Sequence, residues 1–315
     1  SIKQENVFGS GNYLGIEVNT SRSSRTLVLS TVDPYFTIDG ISRAFDIYYR
    51  TAKPINSRGE QYQIVTPGVA MRFGVPFSEY DTVFFGIGAE RTQIKGGTAM
   101  PNNLYLYRLQ FGESSNSFPL TMGWTRDERD SALVPNDGSY KRVNVDWTAF
   151  GNTRYLRSNL QYQHYWPITR QYTFAVNAEM GYGRGLGGRP YPVFKNFYGG
   201  GLGTVRAFDQ GSLGPADVTG AYVGGNRRVN LNSELYVPVP GAGNDRTLRV
   251  FGYLDVGNVW GEEQKMTVDS LRASAGLGLS WISPVGPLKL SWGTPIRKQP
   301  NDRIERLQFQ IGTAF

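Results

Sequence analysis

Few side chains in this 315-residue chain could do covalent or acid–base chemistry. It has no cysteine, which removes disulfides and thiolate chemistry. A single histidine, His164, is too little for a histidine metal cage or a histidine relay. A Ser-His-Asp triad would have to use His164, and nothing around it supports one. His164 stands beside Tyr165 and Trp166, a setting that fits an interface or structural role. The glycine run Gly183–Gly188 lacks the Gly-Lys-Ser/Thr ending of a phosphate loop, and no helix pattern follows it. The expectation is therefore no enzyme, no catalytic residue, no metal and no cofactor. What remains is spaced charge: Arg157, Glu179, Arg228, Glu234, Arg249, Asp255, Arg272 and Lys289.

Those charges fall on one side of an alternating pattern, so strands must position them. Val143, Val145, Trp147 and Ala149 interleave with Arg142, Asn144, Asp146 and Thr148. Phe174, Val176, Ala178 and Met180 oppose Thr173, Asn177 and Glu179. Val229, Leu231 and Leu235 oppose Arg228, Asn230, Asn232 and Glu234. The same rhythm recurs along the chain and predicts about fourteen strands of roughly ten residues, the length a tilted membrane strand needs. Gly, Pro, Asn and Asp mark the connections, which alternate between short turns and longer loops. With 13% aromatic residues, 39 glycines and only 19% charge, the composition fits strands and tight turns. A helix-like patch at Leu104–Phe111 is assigned to an outer loop. No stretch approaches the ~20 apolar residues of a spanning helix, and mean hydropathy is −0.37. The predicted fold is all-β: a transmembrane antiparallel barrel.

A barrel of that size is too wide for side chains to fill. Its polar face meets water or an inserted loop, and its apolar face meets lipid. Closure satisfies every backbone group, as lipid requires. Tyr35, Tyr80, Trp124, Trp166, Trp281, Trp292 and Phe315 are candidates for interface belts. A soluble sandwich has similar alternation but rarely so many strands of this length. One connection, about 183–226, breaks the rhythm, and a loop that long is usually functional. If extended, its about forty residues would span roughly 130 Å, enough to reach inside. The inner wall offers Glu234 and Asp255 on adjacent strands. Two such like charges repel unless a cation sits between them. A basic residue of the long loop would supply that cation.

The loop sequences Phe194-Lys195-Asn196-Phe197-Tyr198-Gly199-Gly200-Gly201, Thr204-Val205-Arg206-Ala207-Phe208 and Gly211-Ser212-Leu213-Gly214-Pro215 have a familiar form. So do Asp33–Gly40, Pro76–Asp81, Gly123–Asp127, Leu254–Trp260, Ser283–Leu288 and the end Leu307–Phe315. Together, and in this order, they resemble the family of BamA-type outer-membrane assembly factors along essentially the whole chain. That family's barrel has sixteen strands. The resemblance implies that residues 1–315 form its barrel domain, entered within the second strand, without the preceding POTRA domains. It implies that the 183–226 loop enters the lumen and that its motif, Val205, Arg206, Ala207 and Phe208, meets acids of the inner wall, here Glu234 and Asp255, with Arg206 as the cation between them and Phe208 packed beside it. Ala207 replaces the family's glycine and would be strained if the site needs a positive φ. Leu307, Phe309, Ile311 and Phe315, with Gly312 on the other face, match the family's C-terminal signal strand, and Gly312 would weaken that strand locally. The implied function is an insertase that folds β-barrel proteins into the bacterial outer membrane. Its implied partners are unfolded barrel clients, BAM-complex accessory lipoproteins and the lipid bilayer, with lipopolysaccharide phosphates at the outer loops. A passive channel or a polypeptide-secretion pore of the same superfamily is the alternative. The net charge of +7 is dispersed, without a basic patch for nucleic acid.

Overall fold

The structure is a computed structural model describing residues 2–4, 9–20, 24–52, 62–96, 100–218, 220–239, 247–283 and 286–311, with backbone alone for residues 2, 3 and 24. Among these residues sixteen strands form one antiparallel sheet. They are β1 (Ile2–Gln4), β2 (Tyr13–Thr20), β3 (Ser24–Asp33), β4 (Ser42–Ala52), β5 (Tyr62–Pro76), β6 (Asp81–Gly96), β7 (Ser114–Ser117) and β8 (Leu120–Asp127). Then follow β9 (Gly138–Thr148), β10 (Tyr155–Pro167), β11 (Thr173–Gly185), β12 (Arg227–Pro238), β13 (Leu248–Trp260), β14 (Arg272–Ser283), β15 (Gly286–Arg297) and β16 (Leu307–Ile311). Each pairs with its chain neighbours, except that β7 and β8 lie end to end on β6. Taking β7 and β8 as one broken stave and setting aside the three-residue β1 leaves fourteen staves, the last with five described residues. The fold is the transmembrane antiparallel barrel expected from the alternation.

Register carries the two-residue period from strand to strand. Asn232 lies opposite Asp255, Asn177 opposite Asn232, and Gln161 opposite Glu179. Polar side chains therefore share the inner face across β10–β13. The other face exposes Leu231, Leu235, Leu254, Leu277, Met180 and Ile47, an apolar band suited to lipid. Exposed Tyr35, Tyr80, Trp166 and Trp281 stand at the end carrying the short turns. His164 packs against Trp166 in a tilted pair with ring centroids 4.0 Å apart, and its Nδ1 lies 3.0 Å from the Tyr162 hydroxyl, inside an outward aromatic ladder.

The opposite end carries the long connections. There a helix, α1 (Asn102–Phe111), interrupts the outer loop between β6 and β7. Leu104 and Tyr107 bury against Tyr62, Ile64 and Ile94, just inside the rim. The backbone N–H of Asn102 donates to the Asp217 carboxylate at 2.8 Å, tying the helix to the longest loop.

Candidate functional site

The site begins with missing side chains. On the inner face of β14 and β15, Gly276, Gly278 and Gly293 leave bare backbone. A Cβ on Gly278 would lie 2.1 Å from the Phe251 ring, and one on Gly293 would lie 1.9 Å from the Tyr253 hydroxyl. The two rings of β13 therefore lie flat across these strands. Tyr236 joins them, its ring centroid 5.5 Å from that of Phe251. The resulting aromatic floor is buried in the wall.

Arg206 sits on this floor. Its guanidinium lies 3.9 Å from the Tyr253 ring centroid and 5.5 Å from that of Phe251, in cation–π range. Asp255, fully buried, accepts three bonds from this one residue: the backbone N–H at 2.9 Å, Nε at 2.7 Å and Nη2 at 2.6 Å. The paired side-chain bonds form a bidentate fork, which fixes direction as well as adding energy. Nη1 donates to Glu234. Glu234 also accepts from Lys289 Nζ at 2.9 Å and from the Tyr236 hydroxyl. Two carboxylates thus face two cations, which balances the charge of a group only 1% exposed at Arg206. Burial alone would lower the Arg206 pKa; Glu234 and Asp255 outweigh it and hold the guanidinium above its ordinary value.

The neighbouring motif residues turn the chain away from the wall. Ala207 has φ 68°, the only positive φ outside glycine among the described residues. A Cβ in that region is disfavoured by roughly 1–2 kcal/mol, so contacts on both sides must hold the turn. Before it, Arg206 grips Asp255. After it, the Ala207 carbonyl accepts from the Glu305 N–H at 3.1 Å, and the Phe208 carbonyl accepts from Gln308 Nε2 at 2.7 Å. Phe208 is fully buried with Val205 and Leu213, rather than stacked on the guanidinium. The 183–226 loop therefore connects β12 and β13 to the segment entering β16.

A second cation fixes the same loop to the far wall. Lys195 donates to Glu90 of β6, which also accepts from the hydroxyls of Ser117 at 3.1 Å and Tyr48 at 3.2 Å. Burial alone would lower the Lys195 pKa, but Tyr155 and Glu90 outweigh it, so the ammonium stays charged above its ordinary value. Phe197 lies over Gly181 and takes Arg157 on its face at 4.3 Å. Sequence reasoning missed the Lys195 contact. The usable signal was Glu90, which the period of β6 turns inward among neutral residues.

In β16, Leu307, Phe309 and Ile311 point outward, 58%, 73% and 64% exposed, while Gln308 points inward. Gly312 and Phe315 lie outside the described residues. Among the described residues β16 pairs with β15 alone.

Residues 6–315 match the model of the Omp85 superfamily domain. The chain is 33% identical, over its whole length, to the outer membrane protein assembly factor BamA of Neisseria meningitidis, of which it covers 44%. It is 26% identical over 67% of its length to the mouse sorting and assembly machinery component 50 homolog, of which it covers 48%. It thus spans less than half the length of these curated relatives. The crystal structure of BamA from Haemophilus ducreyi lacking POTRA domains 1-3 superposes with a TM-score of 0.88 at 25% identity, covering 98% of this chain and 65% of that one. CdiB from Acinetobacter baumannii shares the fold, with a TM-score of 0.62 at 14% identity, over 98% of this chain and 54% of that one. The chain belongs to the Omp85 superfamily, as a β-barrel of the bacterial outer membrane.

Proposed function

We propose that this barrel is the membrane part of an insertase that folds β-barrel proteins into the outer membrane, without nucleotide or cofactor. The observation that carries this reading is the 33% identity, over the whole of this chain, to a named assembly factor of which the chain covers 44%. The physical basis is a strand edge. Among the described residues β16 pairs with β15 alone, and a strand edge left unpaired would template added strands. Its clients are unfolded barrel proteins, which carry strands of matching length. Accessory lipoproteins of a BAM-type complex are its expected protein partners. The Arg206 motif is assigned the role of holding the loop, and through Gln308 the entry to β16, in one arrangement. The likeness to CdiB is one of fold and does not by itself favour a secretion pore.

The test is the folding rate of a client barrel into lipid vesicles, with and without this protein reconstituted in them. The reading expects faster folding with the protein present. Unchanged folding in vesicles that nonetheless conduct ions would favour the channel instead.

A further inference from the structure

The outer wall over β3–β6 departs from an even apolar band in two ways. Its relief is low at the centre. Pro67 and Ala89 form a floor, bounded by Leu29, Ile47 and Tyr49 on one side and Phe118 on the other, around a groove of about 650 Å3. Local sequence explains the dip. Pro67 and Ala89 have short side chains. Opposite them the β7–β8 stave breaks at Phe118–Pro119, where Gly88 N–H donates to the Pro119 carbonyl at 2.9 Å. The groove runs across several strands, and strands lie about 4.8 Å apart. That is wider than one hydrocarbon chain.

The rim of the groove toward the long-loop end is cationic. Register places Arg25 opposite Thr51, Thr51 opposite Val65, and Val65 opposite Gln93. Arg25 therefore shares a rank with Gln93, whose outward neighbours on β6 are Arg91 and Lys95. Arg25, Arg91 and Lys95 are all exposed on the outward face. Arg91 donates one bond, from Nε to Ser114 Oγ at 2.7 Å, which aims its guanidinium along the wall. Among the described residues, the outward positions of β2–β6 carry acids only at Asp33 and Asp81, at the opposite ends of their strands. Among the described outward positions of these strands, no acid stands beside the three cations. Long loops mark the outer-leaflet side of such barrels.

We propose that this groove and rim bind a phosphorylated, multiply acylated glycolipid of the outer leaflet. Its acyl chains lie on the Pro67–Ala89 floor, and its phosphates meet Arg91 and Arg25. Three ladder steps separate Arg25 from the β6 cations by about 14 Å. A broad headgroup with more than one phosphate spans that distance better than a single glycerophosphate. Arginine matches phosphate oxygens in bidentate geometry. The bound lipid covers the broken stave, where the wall is thinnest in side chains.

The test uses the purified protein in nanodiscs of neutral phospholipid doped with lipid A or, separately, with phosphatidylglycerol. Native mass spectrometry counts the lipid retained after delipidation. The expected result is selective retention of lipid A, lowered roughly tenfold when Arg25→Gln and Arg91→Gln are combined, the loss of a charged hydrogen bond or two. Ala89→Trp, which fills the floor, should lower it as well. Arg184→Gln, an exposed outward cation on β11 at the same end, should leave retention unchanged. Equal retention of phosphatidylglycerol, or equal sensitivity to Arg184→Gln, would overturn the proposal. Heat-modified gel mobility checks that each variant is folded, and the two arginine changes decide the matter even if Ala89→Trp is not.

Discussion

The β12–β13 wall and the β16 edge are held by different physics. The wall carries a buried ion cluster, with Asp255 fully buried and Arg206 almost so, over rings recessed into glycine-lined strands. β12 pairs with neighbours on both sides, from Arg227 to Pro238 along β13. β16, over its described residues, has one strand partner and three outward apolar side chains. Among its described residues, the inward tie to the lumen loop is the Gln308 bond to the Phe208 carbonyl. One region is over-determined and the other is lightly restrained. The lesson is that, among the described residues, the tightest contacts lie in the β12–β13 wall and the lightest at β16; the proposed insertase role rests on that difference, because under it only the edge changes partners.

The sharpest way to break this contrast is Arg206→Ala. It leaves Asp255 buried without its cation, and losing one partner of a buried pair costs about 3–5 kcal/mol. Denaturant unfolding in detergent should show that loss, with Arg206→Lys intermediate because the fork is gone. Alkali should not reproduce it. A raised folded-state pKa means the contribution is present below the unfolded value and is lost only as pH rises through the folded one. Arginine's ordinary value is already above the working range, so stability should not fall between pH 7 and pH 10 through this group.

Gly293→Val tests the aromatic floor. Its Cβ would meet the Tyr253 hydroxyl, displacing the ring under Arg206. Overpacking of this kind costs about 1–3 kcal/mol, and a loss of similar size in the same unfolding assay is the expected result. If the variant is as stable as the parent, the floor does not hold the loop.

Much of this was legible before the structure. Alternation gave the inner face, and parity put Glu234 and Asp255 on it, because a strand's period leaves no other choice. The fold resemblance supplied Arg206. Other features were not legible for a physical reason. The floor depends on Gly276, Gly278 and Gly293, which are distant in sequence from the rings they accommodate and meet them only through register. Phe208 was expected beside Arg206; what the structure adds is its burial with Val205 and Leu213, past the positive-φ turn at Ala207, which no local pattern signals. Lys195 finds Glu90 across the lumen, a contact no local pattern encodes.

Gln308→Ala sharpens the comparison at the edge. It removes one bond to the Phe208 carbonyl, worth about 1 kcal/mol. Amide exchange should quicken in β16 and hold steady in β12 and β13. Smallest of all is Ala207→Gly. Relief of the positive φ is partly offset by glycine's greater freedom in the unfolded chain, so the net gain should be under about 1 kcal/mol. A clear loss of stability would mean that the Ala207 methyl packs productively.

The central claim is that the β16 edge receives client strands while the β12–β13 wall does not. It is tested most directly by a photo-crosslinking residue placed in turn at Phe309 and at Leu231, two exposed outward positions. A client barrel arrested during insertion into vesicles should crosslink from position 309 and not from position 231. Equal crosslinking from both positions, or crosslinking from 231 alone, would contradict the account.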